Sequence, residues 1–101
     1  MATYIVLLHY TQQGIQKIKE GPARIEAAKK AFKAMGAELK QWYLVMGRYD
    51  AVAIAEAPND ETVAKLALAA GSLGAIQTET LRAFTEDEFR KIVADLPSVG
   101  K

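Results

Sequence analysis

Two short runs, TYIVLLH at 3–9 and AVAIAEA at 51–57, carry apolar residues at consecutive positions. Side chains alternate between the two faces of an extended strand, so each run has two greasy sides. In the first, Ile5 and Leu7 share one side and Val6 and Leu8 the other. In the second, Val52 and Ile54 stand opposite a row of alanines. Strands of this kind are central and covered on both faces. The rest of the chain must therefore supply two covering layers, or borrow one.

The intervening segments supply one. Thr11 can cap a short helical turn bearing Ile15 and Ile18, which the Gly21-Pro22 step interrupts. Pro22 suits the first position of a new helix. That helix is expected to run to Met35, with Ile25, Ala28, Phe32 and Met35 along one stripe and Gly36 as a left-handed cap. Residues 37–46 begin alternating and end apolar, as a second strand would. Asn59 or Asp60 can cap a further helix whose inner stripe is Val63, Leu66, Ala67 and Ala70. Gly71-Ser72-Leu73-Gly74 closes it, and 75–84 reads as a fourth strand. Thr85 and Glu88 form a capping box ahead of Phe89, Ile92, Val93 and Leu96, and Pro97 stops this last helix.

The order is β-α-β-β-α-β with a terminal helix, an α+β, ferredoxin-like arrangement in one domain over 1–101. Right-handed crossovers give the antiparallel sheet the strand order 4-1-3-2. Two helices cover only one face of such a sheet. A second copy of the sheet is the simplest cover for the other, which makes a homodimer, or a higher oligomer, the first functional expectation. At about 25 cal/mol per Å2, burying roughly 500 Å2 of apolar surface would contribute on the order of 12 kcal/mol before association costs.

Composition excludes several chemistries. The chain has no cysteine and one histidine, too few ligands for an ordinary zinc site, and its acids lack calcium-loop spacing. The 71–74 glycine segment follows a helix and precedes a strand, the reverse of a phosphate-cradling loop. A net charge of +1 gives no overall pull toward nucleic acid or anionic membrane, and strands one and three lack paired aromatics for stacking bases. The charges are nevertheless uneven. Residues 17–40 hold seven Lys or Arg against three Glu, whereas 50–88 hold eight acids against Lys65 and Arg82. The start has neither a basic n-region nor a cleavage site, and no apolar run nears the roughly 18–20 residues of a membrane span, so a cytoplasmic location without cofactor or metal is expected.

Three blocks, the opening TYIVLLHYTQQGIQKIKEGP, GRYD at 47–50 and GSLGAIQTETLRAFT at 71–85, resemble the GYD-domain family, named for its Gly-x-Tyr-Asp turn. The resemblance covers nearly the whole chain. It implies a dimeric α/β barrel and, since members largely lack an assigned activity, little about chemistry. Its motif falls on Gly47, Tyr49 and Asp50, and on Gly71, Ser72, Leu73 and Gly74. Where the family often has Asn-Trp at the end of strand one, this chain has His9 and Tyr10, so any role for His9 is its own.

In the 4-1-3-2 sheet the end of strand one meets the start of strand three. His9, Tyr10, Arg48, Tyr49 and Asp50 therefore converge, with Gln77 entering from strand four. These six are the candidate ligand-binding residues, with His9, Tyr49 and Asp50 the candidates for catalysis. Asp50 within reach of His9 would fix its tautomer and make it a general base; Tyr49 could donate to a carbonyl and Arg48 hold an anion. Alternatively the turn is structural, with Gly47 at positive φ and Asp50 bonding its own turn amides. At the opposite end Glu56 and Arg82 are expected to bridge across strand one, and Trp42 and Tyr43 to face opposite ways. Three functions stay open: a small-molecule-binding homodimer, a cofactor-independent oxygenase or isomerase acting on a small aromatic or keto substrate, and a structural oligomerisation module.

Overall fold

In a computed structural model of the chain, residues 1–100 are described. The strands are β1 (Ala2–Tyr10), β2 (Glu38–Leu44), β3 (Ala51–Ala57) and β4 (Ile76–Ala83). The helices are α1 (Gln12–Gln16), α2 (Gly21–Ala34), α3 (Asp60–Ser72) and α4 (Glu86–Ala94), with a 3-10 turn at Ile18–Glu20 leading straight into α2. The sheet order β2-β3-β1-β4 is 4-1-3-2 counted from the other edge, and every neighbouring pair is antiparallel. Boundaries differ from the sequence reading by one or two residues.

Local chemistry explains the ends. Thr11 accepts from the Gly14 amide, Asn59 from Thr62, and Thr85 and Glu88 complete their reciprocal capping box. At the end of α2, Gly36 at φ 76° donates to the Lys33 carbonyl and Ala37 to that of Phe32, a Schellman closure.

Helices α2 and α3 cover one face. Beneath them lie Tyr4, Val6 and Leu8 of β1 and the four alanines of β3, all buried; short side chains here let the helices sit close to the sheet. In β2 the register slips between Leu39 and Gln41, so both Leu39 and Trp42 turn to this side, opposite Ala55 and Ala53. Trp42 packs on the core while Tyr43 is exposed on the other face, as expected.

The second face has no cover. Register fixes its central rows: Gln41–Ile54–Ile5–Leu81 and Tyr43–Val52–Leu7–Glu79. Apolar side chains occupy the middle and reach one edge at Leu81, while Gln41, Tyr43 and Glu79 hold the other edge positions of these rows.

Helix α4 stands apart. Phe89, Ile92 and Val93 of its stripe, and Leu96 just past its end at Ala94, are all exposed, and the molecule extends 57 Å along its longest axis against 19 Å along its shortest. The radius of gyration, 16.0 Å, exceeds the roughly 13 Å usual for a domain this long. Among the described residues no helix is long and apolar enough to cross a membrane.

Candidate functional site

The hairpin joining β2 to β3 turns at Gly47, whose φ of 124° disfavours any side chain, and brings Asp50 beside the end of β1. The Asp50 amide donates to the Leu8 carbonyl at 2.8 Å, and its carboxylate accepts the Tyr10 amide at 2.8 Å. The structure thus gives this carboxylate to the neighbouring strand, not to the His9 ring or to its own turn. That bond ties the hairpin to β1.

The six candidate residues divide between the two faces because the strand alternates. His9, Tyr49 and Gln77 gather on the uncovered face. The His9 and Tyr49 rings are 4.7 Å apart between centroids, tilted by 33°. Gln77 is the register partner of His9. The Tyr49 hydroxyl donates to Glu79 at 2.8 Å, and this bond raises the phenol's pKa. Glu79 was not foreseen, although it follows Gln77 at the strand period of two. Arg48 lies exposed in the hairpin.

Tyr10 points to the opposite side, into a cleft between the sheet and α2 and α3 with a cavity volume of about 110 Å3. Its walls include Val6, Leu8, Phe32, Leu39, Trp42 and Leu66. Arg24 of α2 is the one charged residue in the lining. Burial and the nearby Asp50 carboxylate raise the Tyr10 pKa, with the Arg24 cation opposing them. The phenol stays protonated at neutral pH. Sequence reading also passed over Arg24, although Arg24, Ala28 and Phe32 recur every four residues along the edge of the apolar stripe.

The expected link between Glu56 and Arg82 does not form. Glu56 pairs with Thr3 on the uncovered face, whereas Arg82 pairs with Tyr4 one register step away and so points to the helix side. There the guanidinium lies 5.7 Å from the Tyr4 ring centroid and 4.4 Å from that of Phe84. Tyr4 itself donates to the Asp60 carboxylate at the start of α3. Among the described residues no group of three or more potential ligands is placed to hold a metal ion.

The site thus comprises a mainly apolar cleft on the helix side of the sheet and, on the uncovered side, the cluster of His9, Tyr49 and Gln77. Comparison with known proteins agrees on the fold. A Thermus thermophilus protein named glutamine synthetase and cystathionine beta-lyase binding protein is 36% identical over 84 residues, covering 82% of this chain and 88% of that protein. The crystal structure of TTHA0845, also from Thermus thermophilus, superposes with a TM-score of 0.54 at 26% identity, covering 84% of this chain and 95% of the other. The GYD domain pattern itself matches residues 4–93, so this chain belongs to the GYD-domain family.

Proposed function

We propose that the protein is a homodimer, paired through its uncovered sheet face as a dimeric α/β barrel, that binds a small and mainly apolar molecule without an assigned reaction. The observation that carries the binding half is the open cleft beneath α2 and α3, with its almost wholly apolar lining. The pairing half rests on Ile5, Leu7, Val52, Ile54 and Leu81, which form one contiguous apolar area on a sheet with no helix over it. His9, Tyr49 and Gln77 then stand at the seam, available to a ligand or to the partner. An oxygenase or isomerase is supported less well, because the Asp50 carboxylate that would orient a His9 base is bonded to the Tyr10 amide.

Native mass spectrometry of protein from its own host tests both halves. The expected species is a dimer retaining a small molecule, and an Ala67→Phe variant, which fills the cleft, keeps the dimer and loses the ligand. Well-folded single chains at micromolar dilution would refute the pairing. A ligand unaffected by filling the cleft would refute the binding site.

A second reading draws on the relative named for binding glutamine synthetase and cystathionine beta-lyase. The exposed apolar stripe of α4 favours it, since that surface is free to meet another protein. Co-sedimentation with the host's glutamine synthetase, with and without Phe89→Ser, tests this reading. Complex formation indifferent to the variant would remove the helix from it.

A further inference from the structure

We propose that the cleft takes its ligand as a small monoanion, a carboxylate on an aromatic ring or compact branched chain, with the apolar part among Phe32, Trp42 and Leu8 and the carboxylate between Arg24 and Tyr10. This rests on the preceding reading that the cleft is a binding site, and names the class of molecule it selects.

The lining is unbalanced in a specific way. Apart from Tyr10, Thr78 and Thr80, its uncharged residues are apolar, aromatic or glycine, and its single charge is a cation. A neutral hydrocarbon would gain nothing from a guanidinium at the wall, whereas a carboxylate gains charge-assisted hydrogen bonds in a site poor in water. Arg24 is also available. Its present partner is Glu20, one turn away at 3.1 Å, and the Glu20 side chain is 59% exposed. Such exposed pairs at i,i+4 contribute only about 0.3–0.5 kcal/mol, so a carboxylate arriving with its own apolar body can displace Glu20.

Tyr10 lines the same cleft as Arg24, whose charge also acts on its phenol. As a protonated hydroxyl it adds a neutral donor to the cation. The described lining holds one cation, which can neutralise a single negative charge; that suits a monoanion and disfavours phosphates and dicarboxylates. Size sets the rest: the cavity of about 110 Å3 is somewhat smaller than the roughly 150 Å3 cavity known to accept benzene, which limits the buried part to about one ring.

Calorimetric titration of the full chain with benzoate and with benzamide, its neutral counterpart of similar shape, tests the inference. Wild-type protein is expected to prefer benzoate by about tenfold, the worth of one added charge-assisted contact. Arg24→Gln should abolish that preference, weakening benzoate far more than benzamide. Glu20→Gln, which removes the competing carboxylate without touching the lining, should tighten benzoate about twofold. The second variant keeps the test informative even if the first folds poorly. Equal affinity of wild type for both probes overturns the anion assignment while the cleft remains a binding site. If neither probe binds at millimolar concentration, the monoanion assignment fails, while the Ala67→Phe comparison still decides whether the cleft is a binding site.

Discussion

The Asp50 carboxylate accepts the backbone N–H of Tyr10 across 2.8 Å, joining residues forty positions apart in the chain. The amide at the last residue of β1 would otherwise lack a partner beside the hairpin. Asp50→Ala is expected to cost about 1–3 kcal/mol, the penalty of orphaning a partly buried donor. Asp50→Asn keeps an acceptor oxygen and should cost less than half as much. Urea unfolding of the two variants checks this ordering, and equal losses would mean that charge, not the hydrogen bond, matters there.

Tyr4 ties β1 to the start of α3 through Asp60. Burial, then that hydrogen bond, raises its phenol pKa above the ordinary value. The unfolded chain therefore loses this proton first as pH rises past about 10, so the stabilisation is complete below that pH and lost as pH climbs through the folded-state pKa. Tyr4→Phe should lower stability near neutrality by about 0.5–1.5 kcal/mol. It should also flatten part of the alkaline decline. Urea midpoints measured from about pH 7 to pH 11 follow both effects.

Gly14 packs directly on the loop between α3 and β4. A Cβ built there would lie 2.0 Å from the Ala75 carbonyl oxygen, so backbone must move to admit it. Gly14→Ala is expected to destabilise by about 2 kcal/mol or more, overpacking outweighing the better helix propensity of alanine. Gly71, within α3, has nothing within 4 Å of such a Cβ, and Gly71→Ala should instead stabilise by about 0.5–1 kcal/mol. Thermal unfolding of the pair should show shifts of opposite sign.

On the uncovered face, Ile54 lies directly opposite Ile5 in the sheet register. Ile54→Glu places a charge at the middle of the proposed pairing surface, where a lone chain would tolerate it in water. The expected result in sedimentation velocity is a folded monomer where wild type gives a dimer. An unchanged assembly would mean that pairing uses another surface.

Much of this molecule is legible in its residues because local rules and the global fold coincide. The two-faced runs at 3–9 and 51–57 define β1 and β3, and Thr85 with Glu88 marks the start of α4. The polar residues at the sheet end proved harder. Their convergence follows from topology, but which face each takes depends on strand phase, and phase separated Tyr10 from His9 and Glu56 from Arg82. Asp50's partner was hidden for a related reason. A backbone amide carries no sequence signature, so only the assembled sheet shows that the carboxylate goes to Tyr10. The close approach at Gly14 was equally invisible, since a short polar segment does not announce what its glycine touches.

Helix α4 follows the sheet through Phe84 and Thr85, with Arg90 and Lys91 along its length. A nine-residue helix is barely stable by itself in water, so an arm left bare would spend time unwound and open to trypsin after those two basic residues. Sheltered against another molecule, it would resist. The rate at which the protease clips the arm, measured as a candidate partner protein is added, is thus a direct gauge of how much of the population has found its companion.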